Sequence, residues 1–448
     1  MTENTNTENK VQLEENIECQ DSLVKTKNIF PDDHKYLTFL KKVFRHEFRK
    51  NGFRRLSTPF FEEKKYFENI FPSRVDENII SFKLSEGSEV WLNPHPSIFN
   101  LKAYIDWEKS EEIQPVYNYF MDRFYPKNKD NSIEWKFLFW GDVIWENDVI
   151  IDIQNLFITT NILNKVGLEW KYDIKLNFIW IKKEIDKYKE KLTDFYSDKK
   201  HLLTEEGLKY LEDDILKLLS STDEDEQILA KSAPLIEKSY KKDSKKDVII
   251  LKEYLEVLGL EYTLDNTLFG DYDFNDGVIW EIKLKWDSEN LAKWYWYNEL
   301  SNLMWELKEI SWSWFWVDVF KIIDVLKENN ISILNKDKLD LFFVQLWDEA
   351  KKVVLPLSLA AREAWINTSI SLWTPSMKEQ MLKANRSQAT YVVMVWLMEA
   401  RNWLFQVRNI ANWTQEEVKK EDLIDYVINK IWKDSLDFYD PSRDLLEK

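Results

Sequence analysis

The stretch REAWINTSISLWTPSMKEQMLKANRSQATYVVMV, from Arg362 to Val395, changes its apolar period within a few turns and decides how the C-terminal part folds. Ile366 to Leu372 alternates as a half-buried strand does, Ser376 to Ser387 has helical spacing, and Tyr391 to Val395 is a short run of aromatic and β-branched residues suited to a buried strand. Working outward, Leu339 to Leu346 and Leu404 to Asn409 read as further strands, Asp348 to Ala364 as a helix, and a last helix starts at Lys419. Alternation of strand and helix predicts an α/β domain built on a central sheet over 337–432, followed by a tail over 433–448.

Upstream the pattern differs. Residues 1–28 are polar with scattered acids and predict a disordered leader. From Asp33 to Asn51, Tyr36, Leu37, Leu40, Val43, Phe44 and Phe48 recur at helical spacing, and Asn51-Gly52 ends the helix. Strands are expected at Ser57 to Phe61, Ile79 to Leu84, Val90 to Leu92, Phe137 to Ile144, Ile174 to Trp180 and Gly277 to Leu284. Helices are expected at Phe99 to Trp107, Asp152 to Val166 and, after a loop, Val317 to Lys327. This mixture predicts an α+β domain, an antiparallel sheet with helices packed on it, over 29–181 and 259–330. Residues 182–258 are charged, helical in period and free of strand signals, so they read as a helical insertion.

Composition narrows the function classes. A chain of 448 residues buries more than one core, and its single Cys19 has no partner for a disulfide or a cysteine metal site. No secretory signal and no run of eighteen apolar residues occurs, so a cytoplasmic protein without a membrane span is expected. The formal charge of −17 opposes polyanion binding as a whole. Between Thr374 and Gln415, however, five bases (Lys378, Lys383, Arg386, Arg401, Arg408) face two acids (Glu379, Glu399), so one region is mildly basic.

Tryptophan and glycine are inverted relative to ordinary usage, with 22 of the former and 8 of the latter. Turns and helix ends need residues tolerant of positive φ, and glycine normally supplies them. Tryptophan stands at such places: Asn412-Trp413 sits where Asn-Gly would make a hairpin turn, and Ala364-Trp365 follows a helix. Together the two residue types number 30 of 448, close to the ordinary glycine fraction of about 7%. The reading that follows is a gene whose UGA codons, translated here as tryptophan, encode glycine.

The segments resemble class II histidyl-tRNA synthetases in order and spacing over almost the whole chain. NGFRRLSTPFFEEKKYF (Asn51 to Phe67) is similar to the first class II motif, whose proline, here Pro59, lies at the dimer interface. LNPHPSIFNLKAYI (Leu92 to Ile105) is similar to L-R-P-E-G-T followed by R-A-Y, and GDVIWEND (Gly141 to Asp148) with Asp152 to G-x-E-x-I-G and its downstream Asp. STDEDEQILAKSAPLIEKSY (Ser221 to Tyr240) and YLEVLGLEYTLDNTL (Tyr254 to Leu268) resemble the end of the family's insertion. The opening stretch from Arg362, closing with VRNIANWTQEEV (Val407 to Val418), is the most specific match. Trp140, Trp145, Trp180, Trp365, Trp396, Trp403 and Trp413 fall on positions that are glycine in the family.

The resemblance implies a histidine–tRNA ligase or close paralogue: a homodimer that uses ATP and Mg²⁺ to activate histidine and then esterifies tRNA. It places Ser97, Lys102, Asp142, Asp273, Phe274, Asn275 and Tyr297 in the substrate and ATP site, with His95 where a glutamate would hold the amino group of histidine. It places Lys378, Gln380, Lys383, Asn385, Arg401 and Arg408 at the tRNA anticodon, where polar side chains read splayed bases and basic ones hold phosphates. The sequence also departs from the family. F-R-x-E becomes Phe124-Tyr125-Pro126-Lys127, leaving Arg123 as the candidate catalytic cation. The arginine of the third motif becomes Val319, R-G-L-D-Y-Y becomes Gly270 to Asn275, and the glutamine near the amino group becomes Leu138. Phosphoryl transfer depends on prepositioned guanidinium groups, so these losses define the alternative, a non-catalytic synthetase-like protein that binds tRNA or regulates. No metal-ligand cluster is visible. Taken without the resemblance, a lone His95 or Arg123 is structural, and the basic helix is a solvated face.

Overall fold

A computed structural model describes residues 24–25, 28–66, 80–92, 96–106, 114–125, 133–179, 182–221, 223–269, 276–298, 310–331, 333, 339–371 and 376–431. The expected leader, except for a few of its residues, and the expected tail lie outside this set, as do His95, Asp273, Phe274 and Asn275. The chain divides into two compact units, 1–331 and 332–448.

The first unit opens with α1 (Pro31–Lys50), whose Phe44 and Phe48 are fully buried. Then come β1 (Arg54–Arg55), a small antiparallel sheet of β2 (Phe61–Glu63), β3 (Ser81–Lys83) and β4 (Glu89–Leu92), and α2 (Pro96–Asp106). β5 (Val116–Phe124), β6 (Lys136–Ile144), α3 (Val149–Lys165) and β7 (Tyr172–Ile179) follow. After β7, α4 (Lys182–Ser197), α5 (Glu205–Asp213), α6 (Glu224–Ser232) and α7 (Lys242–Val257) form an all-helical segment with short 3₁₀ turns between them. The chain then returns to the sheet through β8 (Thr263–Leu264), β9 (Asp276–Leu284), β10 (Asn290–Trp296), β11 (Trp312–Asp318) and α8 (Val319–Glu328).

The eight strands lie in the order β8-β7-β9-β10-β11-β6-β5-β1, antiparallel throughout the middle and parallel at the two edge pairs. Five of these strands, β1, β5, β8, β10 and β11, lie outside the expected set. β10 and β11 occupy what reads as a loop from the sequence, because aromatic residues there favour extended backbone once paired. β5 also carries no clear alternation, being buried at Val116, Tyr119 and Phe120 rather than at every second residue. The strand expected at Ser57 to Phe61 starts at Phe61 instead, since Pro59 has no N–H for a ladder.

Strand alternation gives this sheet two distinct faces. Gly141, Phe315 and Trp294 are register partners on one face, where Phe48 of α1 meets Phe315 at 5.7 Å and Tyr119 at 4.8 Å. On that face the ring of Phe315 fills the place a Cβ at Gly141 would take, so a larger residue there would push α1 off the sheet. Trp140, Asp142, Trp314 and Tyr295 project from the opposite face, where α2 lies.

The second unit contains β12 (Leu341–Gln345), α9 (Trp347–Glu363), β13 (Thr368–Ile370), α10 (Met377–Arg386), β14 (Tyr391–Val395), α11 (Leu397–Asn402), β15 (Leu404–Asn409), β16 (Gln415–Lys419) and α12 (Leu423–Lys430). Its sheet runs β13-β12-β14-β15-β16, parallel in its first three strands and antiparallel in the rest. Leu341, Phe343, Val393 and Val407 pack with α9, α11 and α12 on one side, while Phe342, Val344, Val392 and Met394 pack with Ala384 of α10 on the other. Burial on both faces explains the unbroken apolar runs of β12 and β14.

Candidate functional site

The α2 face of the first unit's sheet is built around Asp142, in the middle of β6 and fully buried. Ser97 Oγ donates to its Oδ1 at 2.9 Å, Asn100 Nδ2 donates to its Oδ2, and the Trp312 indole N–H reaches Oδ1 at 3.3 Å. Ser97 and Asn100 lie three residues apart on α2, so one helical face presents both donors. Burial pushes the Asp142 carboxyl up to about 7, and the three donors only partly offset that.

Around Asp142 an aromatic row crosses the strands. Phe120 stacks on Trp140 at 5.6 Å, Trp140 on Trp314 at 4.8 Å, and Trp314 on Tyr295 at 5.8 Å and Tyr297 at 5.7 Å. Next to it, Lys293 Nζ lies 2.8 Å from Glu281, itself held by Asn290 at 2.9 Å. Through the ladder, Asp142 pairs with Asn118, which pairs with Arg54 at the sheet edge. On the covered face, Asp152 of α3 accepts the indole N–H of Trp294 at 2.7 Å and of Trp296 at 2.6 Å, and burial raises its carboxyl well above the usual carboxylate range.

The structure therefore brings Ser97, Asp142 and Tyr297 to one place. Lys102 lies on the same helix as Ser97 and pairs with Glu62 at 3.3 Å. Arg123 is elsewhere: its register partner is Phe137, an odd number of residues from Leu138 and Asp142, so it projects toward α1. There its guanidinium sits 5.0 Å over Trp135 and contributes to lowering the pKa of Lys41, after burial and Arg55. Val319 opens α8 and is fully buried. Asn100 is the partner of Asp142 that residue types alone do not reveal, although its i, i+3 spacing from Ser97 is a usable signal.

In the second unit Lys378, Lys383 and Asn385 are exposed on α10. Arg408 on β15 projects to the α10 side, as the register partner of Val392, and holds Gln415 Oε1 through Nε at 3.1 Å and Nη2 at 2.6 Å. Gln380 is on the buried face instead, donating to Gln345 O at 2.7 Å and accepting from Gln345 N at 2.8 Å. Its amide thus closes the end of β12 and is spent on the fold. Arg401 is exposed on α11, which packs Ala400 into the opposite layer.

Comparison with known proteins places both units in one context. The histidine–tRNA ligase of Lactobacillus gasseri is 21% identical over 412 residues, covering 89% of this chain and 96% of its own. That of Thermotoga petrophila is 23% identical over 424 residues, covering 91% and 98%. The chain is a homologue of the histidyl-tRNA synthetases. Apo histidyl-tRNA synthetase of S. aureus shares the fold, with a TM-score of 0.74 and 20% identity over 90% of this chain and 97% of that one. So does the histidyl-tRNA synthetase from Nostoc sp. PCC 7120, with a TM-score of 0.63 and 16% identity over 90% and 98%. No family model matches the chain. The synthetase homology gives the architecture a class: an α+β class II catalytic-type domain followed by a C-terminal α/β domain. Among the described residues no group of three His, Cys, Asp or Glu side chains is placed to hold a metal, and no helix is long and apolar enough to cross a membrane.

Proposed function

We propose that the chain is a histidine–tRNA ligase or close paralogue, a cytoplasmic homodimer that takes histidine, ATP and tRNA. The observation that carries this reading is that both units, from the sheet with its buried Asp142 to the α/β domain, are matched together in relatives named histidine–tRNA ligase. In the reaction so assigned, a histidine carboxylate oxygen attacks the α-phosphorus of ATP, pyrophosphate leaves, and a terminal hydroxyl of tRNA then takes the acyl group from AMP.

Asp142 is the group on the α2 face suited to anchor a cationic end of histidine, and Ser97 and Asn100 orient its two oxygens. Tyr297 supplies a neighbouring aromatic wall. The residues present do not fit a metal site of the protein's own, since Glu281 is engaged by Lys293 and Asn290; magnesium would enter on the phosphates of its nucleotide substrate. Lys378, Lys383, Asn385 and Arg408 would face the tRNA from the α10 side, with Arg401 approaching from another layer. The exposed rings of Phe61 (48%) and Phe82 (41%), 5.8 Å apart near Pro59, give the dimer an apolar seam.

Two observations favour a second reading, a non-catalytic synthetase homologue that binds tRNA or regulates. Arg123 points toward α1, and a buried Val319 stands where the third motif of the family has arginine. A charging assay separates the two. Histidine esterified to tRNA in an ATP-dependent way supports the ligase; salt-sensitive tRNA binding without any charging supports the second reading.

A further inference from the structure

Among the described residues eight other than glycine adopt positive φ, and six of the eight are tryptophan: Trp145, Trp170, Trp347, Trp365, Trp403 and Trp413, with φ between 57° and 77°. This region is costly for a bulky side chain and is glycine's usual province. Local hydrogen bonding shows what kind of position each is. After α1, Gly52 N–H bonds to Arg49 O and Phe53 N–H to Phe48 O; after α3, Gly167 bonds to Asn164 O and Leu168 to Leu163 O; after α7, Gly259 bonds to Glu256 O and Leu260 to Leu255 O. Each is the two-bond closure in which the left-handed residue follows the helix cap. After α8 the same closure is made by Asn330, a residue that tolerates left-handed backbone, and after α9 the two bonds are Trp365 to Arg362 O and Ile366 to Ala361 O, both at 3.0 Å, with an indole where those three helices have glycine.

Trp170 is the third residue of a turn closed by Lys171 N–H on Leu168 O at 3.0 Å, and Trp413 turns the β15–β16 hairpin. Burial does not compensate, because Trp170, Trp347 and Trp413 are 71%, 67% and 61% exposed. Nor do these rings gather into a stacking platform, since they lie at helix ends and turns in both units. Inside the first unit the signs are of the opposite kind. Trp280 is fully buried, yet its indole N–H has no acceptor among the described residues, a deficit that normal cores avoid. Trp140, Trp312 and Trp314 fill the α2 face around Asp142 to 3% exposure or less, and Trp316 continues the row.

We propose that the natural protein carries glycine at the six left-handed positions and, by the same decoding of UGA, at Trp140, Trp312, Trp314 and Trp316, so that a chamber opens on the sheet over Asp142, Tyr295 and Tyr297. The chamber is where the ligase reading above needs its small substrate, and to that extent it rests on that reading; the identity of the ten residues does not. With glycine the strands keep their ladder, because only side-chain volume is removed. The indoles of the tryptophan-bearing chain occupy the space, and the Trp312 N–H contact to Asp142 is lost along with them.

Peptide mass spectrometry of the protein isolated from its own cells, alongside the codon at each position, decides the matter. Glycine from UGA at the ten positions is expected. Tryptophan at the left-handed positions, or UGG codons there, overturns the inference whatever the protein binds. Tryptophan at Trp140 or Trp314 overturns the chamber. Glycine at all ten, in a protein that nevertheless charges no tRNA, upholds this inference while removing the ligase reading.

Discussion

Replacing Trp365 and Trp413 by glycine should stabilise the second unit, against the rule that shrinking an aromatic residue destabilises. Left-handed backbone costs a residue with a side chain roughly 1–2 kcal/mol, and glycine returns about 0.5–1 kcal/mol of that through the entropy of the unfolded chain. A net gain of roughly 0.5–1 kcal/mol per site follows, or about 1–2 kcal/mol for the pair, which are far enough apart in the fold to add. Burial opposes the gain, since the two residues are 47% and 61% exposed and so keep about half and two-fifths of their surface from water, which makes Trp413 the more sensitive site. Trp403 should gain less, because the Lys420 ammonium sits 3.6 Å over its ring, a contact worth about 0.5–1 kcal/mol at an exposed site. The assay is urea unfolding of the full chain followed by far-UV circular dichroism. With a slope of roughly 1–3 kcal/mol per molar for a small unit, the midpoint of the second unit's transition should rise by about 0.5–1 M. Ala364→Gly is the internal control: its φ is −80°, so glycine there should lower the same midpoint. Paired substitutions at Trp365 and Trp413 that leave the midpoint unchanged or lower it would refute the strain argument.

Three further outcomes follow. Asp142 is held protonated up to about pH 7 in the folded chain but ionises near pH 4 when unfolded, so its contribution is full below about pH 4 and is lost as pH rises toward 7. Stability of the tryptophan-bearing chain should fall by a few kcal/mol across that window, and Asp142→Asn should flatten the profile measured from urea midpoints at pH 4.5 and 7.5, values chosen to lie roughly inside and above it. Gln380→Ala strips both hydrogen bonds from the Gln345 backbone, which should cost roughly 2–5 kcal/mol of second-unit stability while leaving tRNA affinity of the folded protein unchanged in a binding assay at low temperature. Lys378→Ala with Arg408→Ala should weaken tRNA binding and reduce the slope of log affinity against log salt by roughly 1–2, read by filter binding across a salt series; an unchanged slope would remove α10 from the interface.

Legibility of the sequence followed local physics. The C-terminal domain was readable because β12 and β14 are buried on both faces and stay apolar throughout, while α9 and α10 keep a clean helical period. β10 and β11 were not, because Trp294, Trp296, Trp312, Trp314 and Trp316 look like misplaced turn residues until pairing shows them extended. Of the candidate site residues, Ser97, Asp142 and Tyr297 were named through the resemblance and lie near one another in the structure. Arg123 illustrates the limit of reasoning by proximity in sequence, since one residue of offset along a strand reverses the face. Gln380 illustrates a second limit: a polar residue on a basic helix reads as surface, but this one faces inward and completes a strand end.

Whether indoles fill a chamber that belongs to substrate is tested most directly by histidine-dependent ATP–pyrophosphate exchange, comparing the tryptophan-bearing chain with one carrying glycine at Trp140, Trp312, Trp314 and Trp316. Exchange confined to the glycine-bearing chain, and abolished in it by Asp142→Ala, is the predicted result. Equal exchange in both chains, or exchange indifferent to Asp142, would contradict it.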